Sequence, residues 1–164
     1  MRIDKGWNFK QLDDPDSQWR PVAHVPTNIH LDLLHHGVIA DPFIGKNEDH
    51  VQWVGDTPWI YKTSFSALVI FKEKAVLAFD GLDTYARVIL NGVHILKTEN
   101  MFVPERVDIT EHILQDAENL IEITFESTYW VGKKLAENNS THLWGCWNGD
   151  PSRLAVRKAQ YHYV

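Results

Sequence analysis

Two glutamates, Glu122 and Glu126, stand four residues apart near the end of an alternating run, residues 119–126. Paired carboxylates are what general acid/base chemistry requires. In a strand of period two, however, they fall on one face and read as its solvated side. Ile121, Ile123 and Phe125 then occupy the opposite face and are expected to be buried, with Glu122 exposed. Five histidines, His24, His30, His35, His36 and His50, crowd the first third of the chain. Their spacing matches none of the common zinc signatures and no cysteine lies nearby, so surface and capping roles are expected and no metal site is assigned. Cys146 is the single cysteine, which leaves no partner for an intrachain disulfide. A thiol is a nucleophile only beside a positioned base, so an idle or buried role is expected. Trp144 and Trp147 lie in a turn-rich loop, residues 143–151. Aromatic rings in such a loop suit either stacking on a sugar ring or packing against a neighbouring domain. They are the substrate-adjacent candidates. No catalytic residue and no cofactor is assigned, and no glycine-rich phosphate loop, nucleophile elbow or C-x-x-C pair is present.

These residues need a scaffold, and residues 75–102 define its centre. Three β-type runs follow one another there, at residues 76–79, 86–90 and 93–96. Only Asn91-Gly92 separates the last two. A two-residue Asn-Gly link predicts a hairpin through a type I′ turn, which needs positive φ at both positions. The centre of the domain is therefore expected to be an antiparallel sheet. Further strands are predicted at residues 7–12, 59–65 and 119–126. The proline-flanked segment 19–26 suits a sheet edge. A short helix is predicted after Thr27 or Asn28, with Ile29, Leu33 and Leu34 on one face and Gly37 ending it. Residues 40–54 read as irregular with a possible helical turn, residues 104–110 as leading into a brief turn, and residues 129–139 as helical.

The chain has 164 residues, 44% hydrophobic and 23% charged, with a formal net charge of −6. That describes one ordinary globular domain and argues against nucleic acid or an anionic membrane as partner. The first residues lack the marks of a secretory signal, and no apolar run approaches a membrane span. A cytoplasmic, intracellular location is expected, with secretion open if the N-terminus is incomplete. Asn138 and Asn139 begin two overlapping N-glycosylation triplets, expected to go unused without such a signal.

The pattern G-x-D-x-x-A-x-V-x-x-N-G is carried by Gly81, Asp83, Ala86, Val88, Asn91 and Gly92, with N-x-F following at Asn100 and Phe102. It resembles the N-terminal β-sandwich of glycoside hydrolase family 2. The words V-P-x-x-x-H-x-D-L-L-x-x-G-x-I-x-D-P-F from Val25 to Phe43, Asn47-Glu48, and W-x-Y from Trp59 to Tyr61 resemble the β-mannosidase branch, in its fungal intracellular type. The tail V-R-K-A-Q-Y-H-Y, from Val156 to Tyr163, resembles the family segment that runs into G-W-D-W-G-P, whose aspartate reaches the sugar site. Here Val164 stands where that pattern has Gly, and the sequence stops.

The resemblance implies an all-β fold, an antiparallel jelly-roll or galactose-binding-like β-sandwich with short peripheral helices, missing its last strand or strands. It implies that residues 1–164 are the N-terminal domain of a retaining exo-β-mannosidase. The full-length enzyme removes terminal, non-reducing β-D-mannose, and its two catalytic glutamates sit on a (β/α)₈ barrel. Such a barrel needs about 250 residues by itself. The implied partners are a mannoside or manno-oligosaccharide substrate and the chain's own barrel domain. The isolated chain is expected to be inactive and less stable than its length suggests. The alternatives are a stand-alone carbohydrate-binding module and a structural or interaction domain.

Overall fold

The Asn91-Gly92 link is the tight turn its residues require: φ is 51° at Asn91 and 83° at Gly92. In this computed structural model, which describes residues 1–67, 74–146 and 149–158, that turn joins two neighbouring strands of the larger sheet, the second of them at its edge. The elements run β1 (Asn8–Gln11), β2 (Arg20–Pro21), α1 (Ile29–His35), α2 (Asn47–His50), α3 (Trp53–Asp56), β3 (Trp59–Ser66), β4 (Val76–Phe79), β5 (Ala86–Leu90), β6 (Val93–Thr98), β7 (Glu105–Asp108), β8 (Glu118–Phe125) and α4 (Thr128–Asn138). Six strands form one antiparallel sheet in the order β2-β1-β3-β8-β5-β6, and β4 pairs with β7 in a second.

Register places Phe9, Tyr61, Ile123, Val88 and Leu96 in one row across five strands, on the face that carries the core. Under β5 and β8 the core is aliphatic: Leu77, Leu82, Val88, Leu90, Ile109, Ile121 and Ile123 are all buried. The sheet of β4 and β7 supplies its cover through Leu77 and the flanking Ala75 and Ile109. Under β1 and β3 a second cluster gathers Phe9, Trp59 and Tyr61 against Leu33, Ile39, Val51 and Val54 of the helical stretch 29–56. One sheet face thus has two covers, one of strands and one of helices.

The predicted strands at residues 76–79 and 86–90 have those bounds. The first of them, however, belongs to the covering sheet and not to the central one. Its partner β7 lies where only a lead into a turn was expected. Four residues, Glu105-Arg106-Val107-Asp108, are too few and too charged to announce a strand, and pairing to β4 supplies what the local sequence lacks. Along β8, Ile121 and Ile123 are buried as expected. Glu122 and Phe125 are both half-buried, which corrects the expectation at each. Glu122 sits in mid-sheet between Lys62 and Ile89, whose side chains shade it. Phe125 ends its strand between the two clusters and packs on the margin of both.

Polar side chains at the seams find partners. Asn119 is completely buried, and its amide accepts from Leu114 N and donates to Leu114 O at 2.7 and 2.9 Å. Asn91 bonds to Asn119 Oδ1, to His112 O and to Leu120 N, which ties the hairpin turn to β8. Asn28 caps α1 by accepting from Leu31 N, and Gly37 follows the helix at φ 65°. On the outer sheet face Trp19 packs beneath Lys62, whose Nζ stands 3.9 Å from the ring centroid.

Candidate functional site

Ser127 opens α4 by accepting from Trp130 N, and its own hydroxyl donates to Gly55 O at 2.7 Å, fixing the helix against α3. Along α4, Tyr129, Lys133 and Glu137 recur every four residues and so share one side of the helix. The segment 149–158 returns across that helix and meets it backbone to backbone at Gly132. A Cβ at Gly132 would stand 2.0 Å from the carbonyl oxygen of Ser152, so only glycine admits this approach. The result is a groove of about 560 Å³ lined by Tyr129, Lys133, Glu137, Trp144, Asp150 and Ser152 among others.

Asp150 accepts from the Ser152 amide and hydroxyl at 3.0 and 2.6 Å. Those bonds, with a further one from Tyr129, hold its carboxyl below the usual carboxylate range. Trp144 packs edge-on against His142, ring centroids 4.5 Å apart. Its indole N–H is buried and has no hydrogen-bond partner among the described residues. An unmade hydrogen bond of this kind costs about 1–3 kcal/mol. The chemistry on offer is recognition: aromatic surface, one cation, two carboxylates and an unused donor.

Beyond the groove the returning segment is pinned to the sandwich. Met101 N donates to Arg157 O at 3.1 Å, and Lys158 Nζ lies 3.2 Å from Asp83 Oδ2. His30 comes close to the same lysine. Burial and, second to it, the Lys158 charge hold its imidazole pKa below the ordinary value. Asp83 and His30 are both residues of the sequence words noted above, and Lys158 stands near each of them.

The other candidates resolve simply. Among the described residues no group of three His, Cys, Asp or Glu side chains is placed to hold a metal ion. His36 closes α1 and its Nε2 lies 2.7 Å from Pro21 O, a capping role of the kind expected. Glu122 stands on the outer sheet face and Glu126 is exposed beyond the strand. Cys146 is a free, half-buried thiol. Trp144 lines the groove, and Trp147 lies outside the described residues. Lys133, Glu137 and Asp150 were missed by sequence reasoning. The four-residue spacing on α4 was the available signal for the first two, and Asp150 had none beyond its place in a turn. No helix among the described residues is long and apolar enough to cross a membrane.

A sandwich of one large antiparallel sheet with a cover of strands and helices is the architecture of a galactose-binding-like domain. The chain belongs to the glycosyl hydrolase 2 galactose-binding domain-like family, which it matches over residues 7–164. It is 57% identical over 162 residues to beta-mannosidase B of Thermothelomyces thermophilus, covering 98% of this chain and 19% of that protein. Beta-mannosidase B of Aspergillus oryzae is 42% identical over 163 residues, with the same coverage. Among solved structures, a β-D-mannosidase from Dictyoglomus thermophilum superposes with a TM-score of 0.81 at 34% identity, over 98% of this chain and 19% of that one. An exo-chitosanase of Amycolatopsis orientalis, at 22% identity and a TM-score of 0.61 over 74% of this chain and 16% of that one, shares the fold. The chain spans about a fifth of the length of the curated relatives it matches.

Proposed function

We propose that this chain is the N-terminal sandwich domain of a retaining exo-β-mannosidase that removes terminal β-D-mannose from the non-reducing end of mannosides. The observation that carries this is the 57% identity, sustained across 98% of the chain, to a protein named beta-mannosidase B. In this reading the two catalytic carboxylates belong to another domain. Retaining glycosidases hold such a pair about 5–5.5 Å apart, one forming a glycosyl-enzyme intermediate and the other acting as acid and then base. Glu122 and Glu126 are not that pair, since one lies on a sheet face and the other in solvent. The sandwich contributes a rigid support, a surface for its partner domain, and Trp144 and Trp147 as residues adjacent to substrate.

The test is a chimera. Residues 1–164 replace the matching N-terminal fifth of the Thermothelomyces thermophilus protein, and hydrolysis of an aryl β-mannoside is followed beside the unaltered relative. The chimera is expected to retain activity on the β-mannoside, while residues 1–164 alone give no turnover above the uncatalysed rate. A folded but inactive chimera sinks the reading, as does turnover by the 164-residue chain itself. Measurable mannoside affinity in an inactive setting would favour a binding module instead.

A further inference from the structure

We infer that the outer face of the six-stranded sheet docks an extended acidic peptide segment, laid across the strands, whose carboxylates meet Lys10, Arg87 and Lys97. The inference stands on the charge and spacing of that face and is independent of the enzyme reading.

Register sets the charges in a line. Lys10, Ile60, Thr124, Arg87 and Lys97 are successive partners across β1, β3, β8, β5 and β6. They stand one residue out of step with the buried row and so point the opposite way. Arg87 and Lys97 are exposed and directly opposite each other. Like charges so placed destabilise a sheet. None of the ion pairs among the described residues includes Lys10, Lys62, Arg87 or Lys97. Lys62 is in register with Glu122, yet its ammonium sits 3.9 Å from the Trp19 ring centroid, and that of Lys10 lies 5.4 Å from the same ring. A chain of net charge −6 thus gathers four cations on one face without giving any of them a carboxylate. A surface of that kind is complementary to an acidic partner.

The spacing selects a polypeptide. Strands lie about 4.8 Å apart, so Lys10 is separated from Arg87 by about 14 Å and from Lys97 by about 19 Å. An extended peptide rises about 3.4 Å per residue, which puts carboxylates at its first, fifth and seventh positions about 14 and 20 Å apart. Its third side chain then rests over Ile60 and Thr124, both half-buried, where an aliphatic group fits. Glu122, half-buried in the adjoining row, accepts a hydrogen bond from a peptide N–H but repels a continuous polyanion. A nucleic acid or an anionic membrane would also meet the chain's net negative charge over any wider contact. A segment lying across the strands needs no free sheet edge.

Fluorescence anisotropy of a labelled, blocked heptapeptide tests this, with glutamate at the first, fifth and seventh positions, leucine at the third and glycine elsewhere. A second peptide of the same composition has its three glutamates adjacent. The 164-residue chain should bind the spaced peptide about threefold more tightly than the clustered one. Affinity should fall as salt rises from about 50 to about 200 mM. Arg87→Glu and Lys97→Glu should each weaken binding about tenfold. Each also turns a like-charged cross-strand pair into an opposite one, so the urea midpoint should hold or rise. A midpoint lowered in both variants denies the repulsion and overturns the inference. Equal affinity for the two peptides, unchanged affinity in both variants, or tighter binding of heparin or phosphatidylserine vesicles does the same. So does a chimera with the Thermothelomyces thermophilus protein that ignores the peptide, since the face would then be covered by the rest of the enzyme. A chimera that binds the peptide but leaves the β-mannoside intact sustains this docking face and sinks the enzyme reading alone.

Discussion

The two halves of the core hang from one sheet face and are fixed by different means. Beneath β5 and β8 the residues are aliphatic and the cover is a second sheet, so register and shape determine how the layers meet. Beneath β1 and β3 the residues are aromatic and the cover is helical. A helix lying on a sheet has no ladder of its own to set its position, and the aromatic half supplies one with directional bonds. Trp59 donates to Val54 O at 3.0 Å. Tyr61 donates to Asp32 Oδ2 at 2.8 Å, and Thr27 to Asp32 Oδ1 at 2.9 Å. Large rings with a polar tip fill volume and aim it at once. The comparison suggests that strand covers need complementarity alone, whereas helical covers need an anchor.

The strongest way to break this contrast is Phe9→Ala, at a completely buried ring that touches His36, Trp59 and Tyr61. A loss of about 3–5 kcal/mol is expected in urea unfolding, in line with other buried Phe truncations. A loss below 1 kcal/mol would mean that the aromatic half is not a core. Next comes Tyr61→Phe, which keeps the ring and strips one donor from a buried carboxylate. About 1–3 kcal/mol should be lost, and a neutral result would show that the anchor is dispensable. In the aliphatic half Ile123→Val should cost only about 0.5–1.5 kcal/mol, with the slope of the urea transition unchanged.

The smallest effect is a drift with pH. Burial raises the carboxyl pKa of Asp32 above its ordinary 3.8, while the Tyr61 and Thr27 bonds pull it partly back. The folded chain thus holds this proton more tightly than the unfolded one. That stabilisation is complete below the unfolded pKa and is lost as pH rises through the folded one. Relative to Asp32→Asn, which cannot ionise, the wild-type urea midpoint should fall as pH rises above the ordinary carboxylate range and level off once the folded-state carboxyl is ionised. A rising difference would reverse the sign and refute the assignment.

How much of this was legible differs between the halves. The hairpin, its turn residues and the alternation of β3 and β8 were readable because each is a local pattern. The cap of α1 was readable to within two residues, Thr27 or Asn28, for the same reason, and it is Asn28. Strand β7 was not, since its four residues become a strand only by pairing with β4. The anchor was not either: Asp32 and Tyr61 are 29 residues apart, and nothing nearby in the chain announces their meeting. A lone carboxylate inside Leu31-Asp32-Leu33-Leu34 was the one available hint. The groove was half visible. Trp144 was singled out as an aromatic in a loop, but its neighbours come from a helix face and from a returning segment without periodicity.

The six-stranded sheet ends on two very unequal margins. At one, β2 has two residues and one of them is Pro21, which has no N–H to offer an incoming strand. At the other, β6 is six residues long, but a register shift opposite Val88 and Ile89 distorts its ladder, and it carries His94 and Lys97. Proline, brevity, irregularity and charge are the devices that stop foreign chains from extending a sheet. Both margins of the larger sheet are therefore poor templates, and a foreign strand should not extend it.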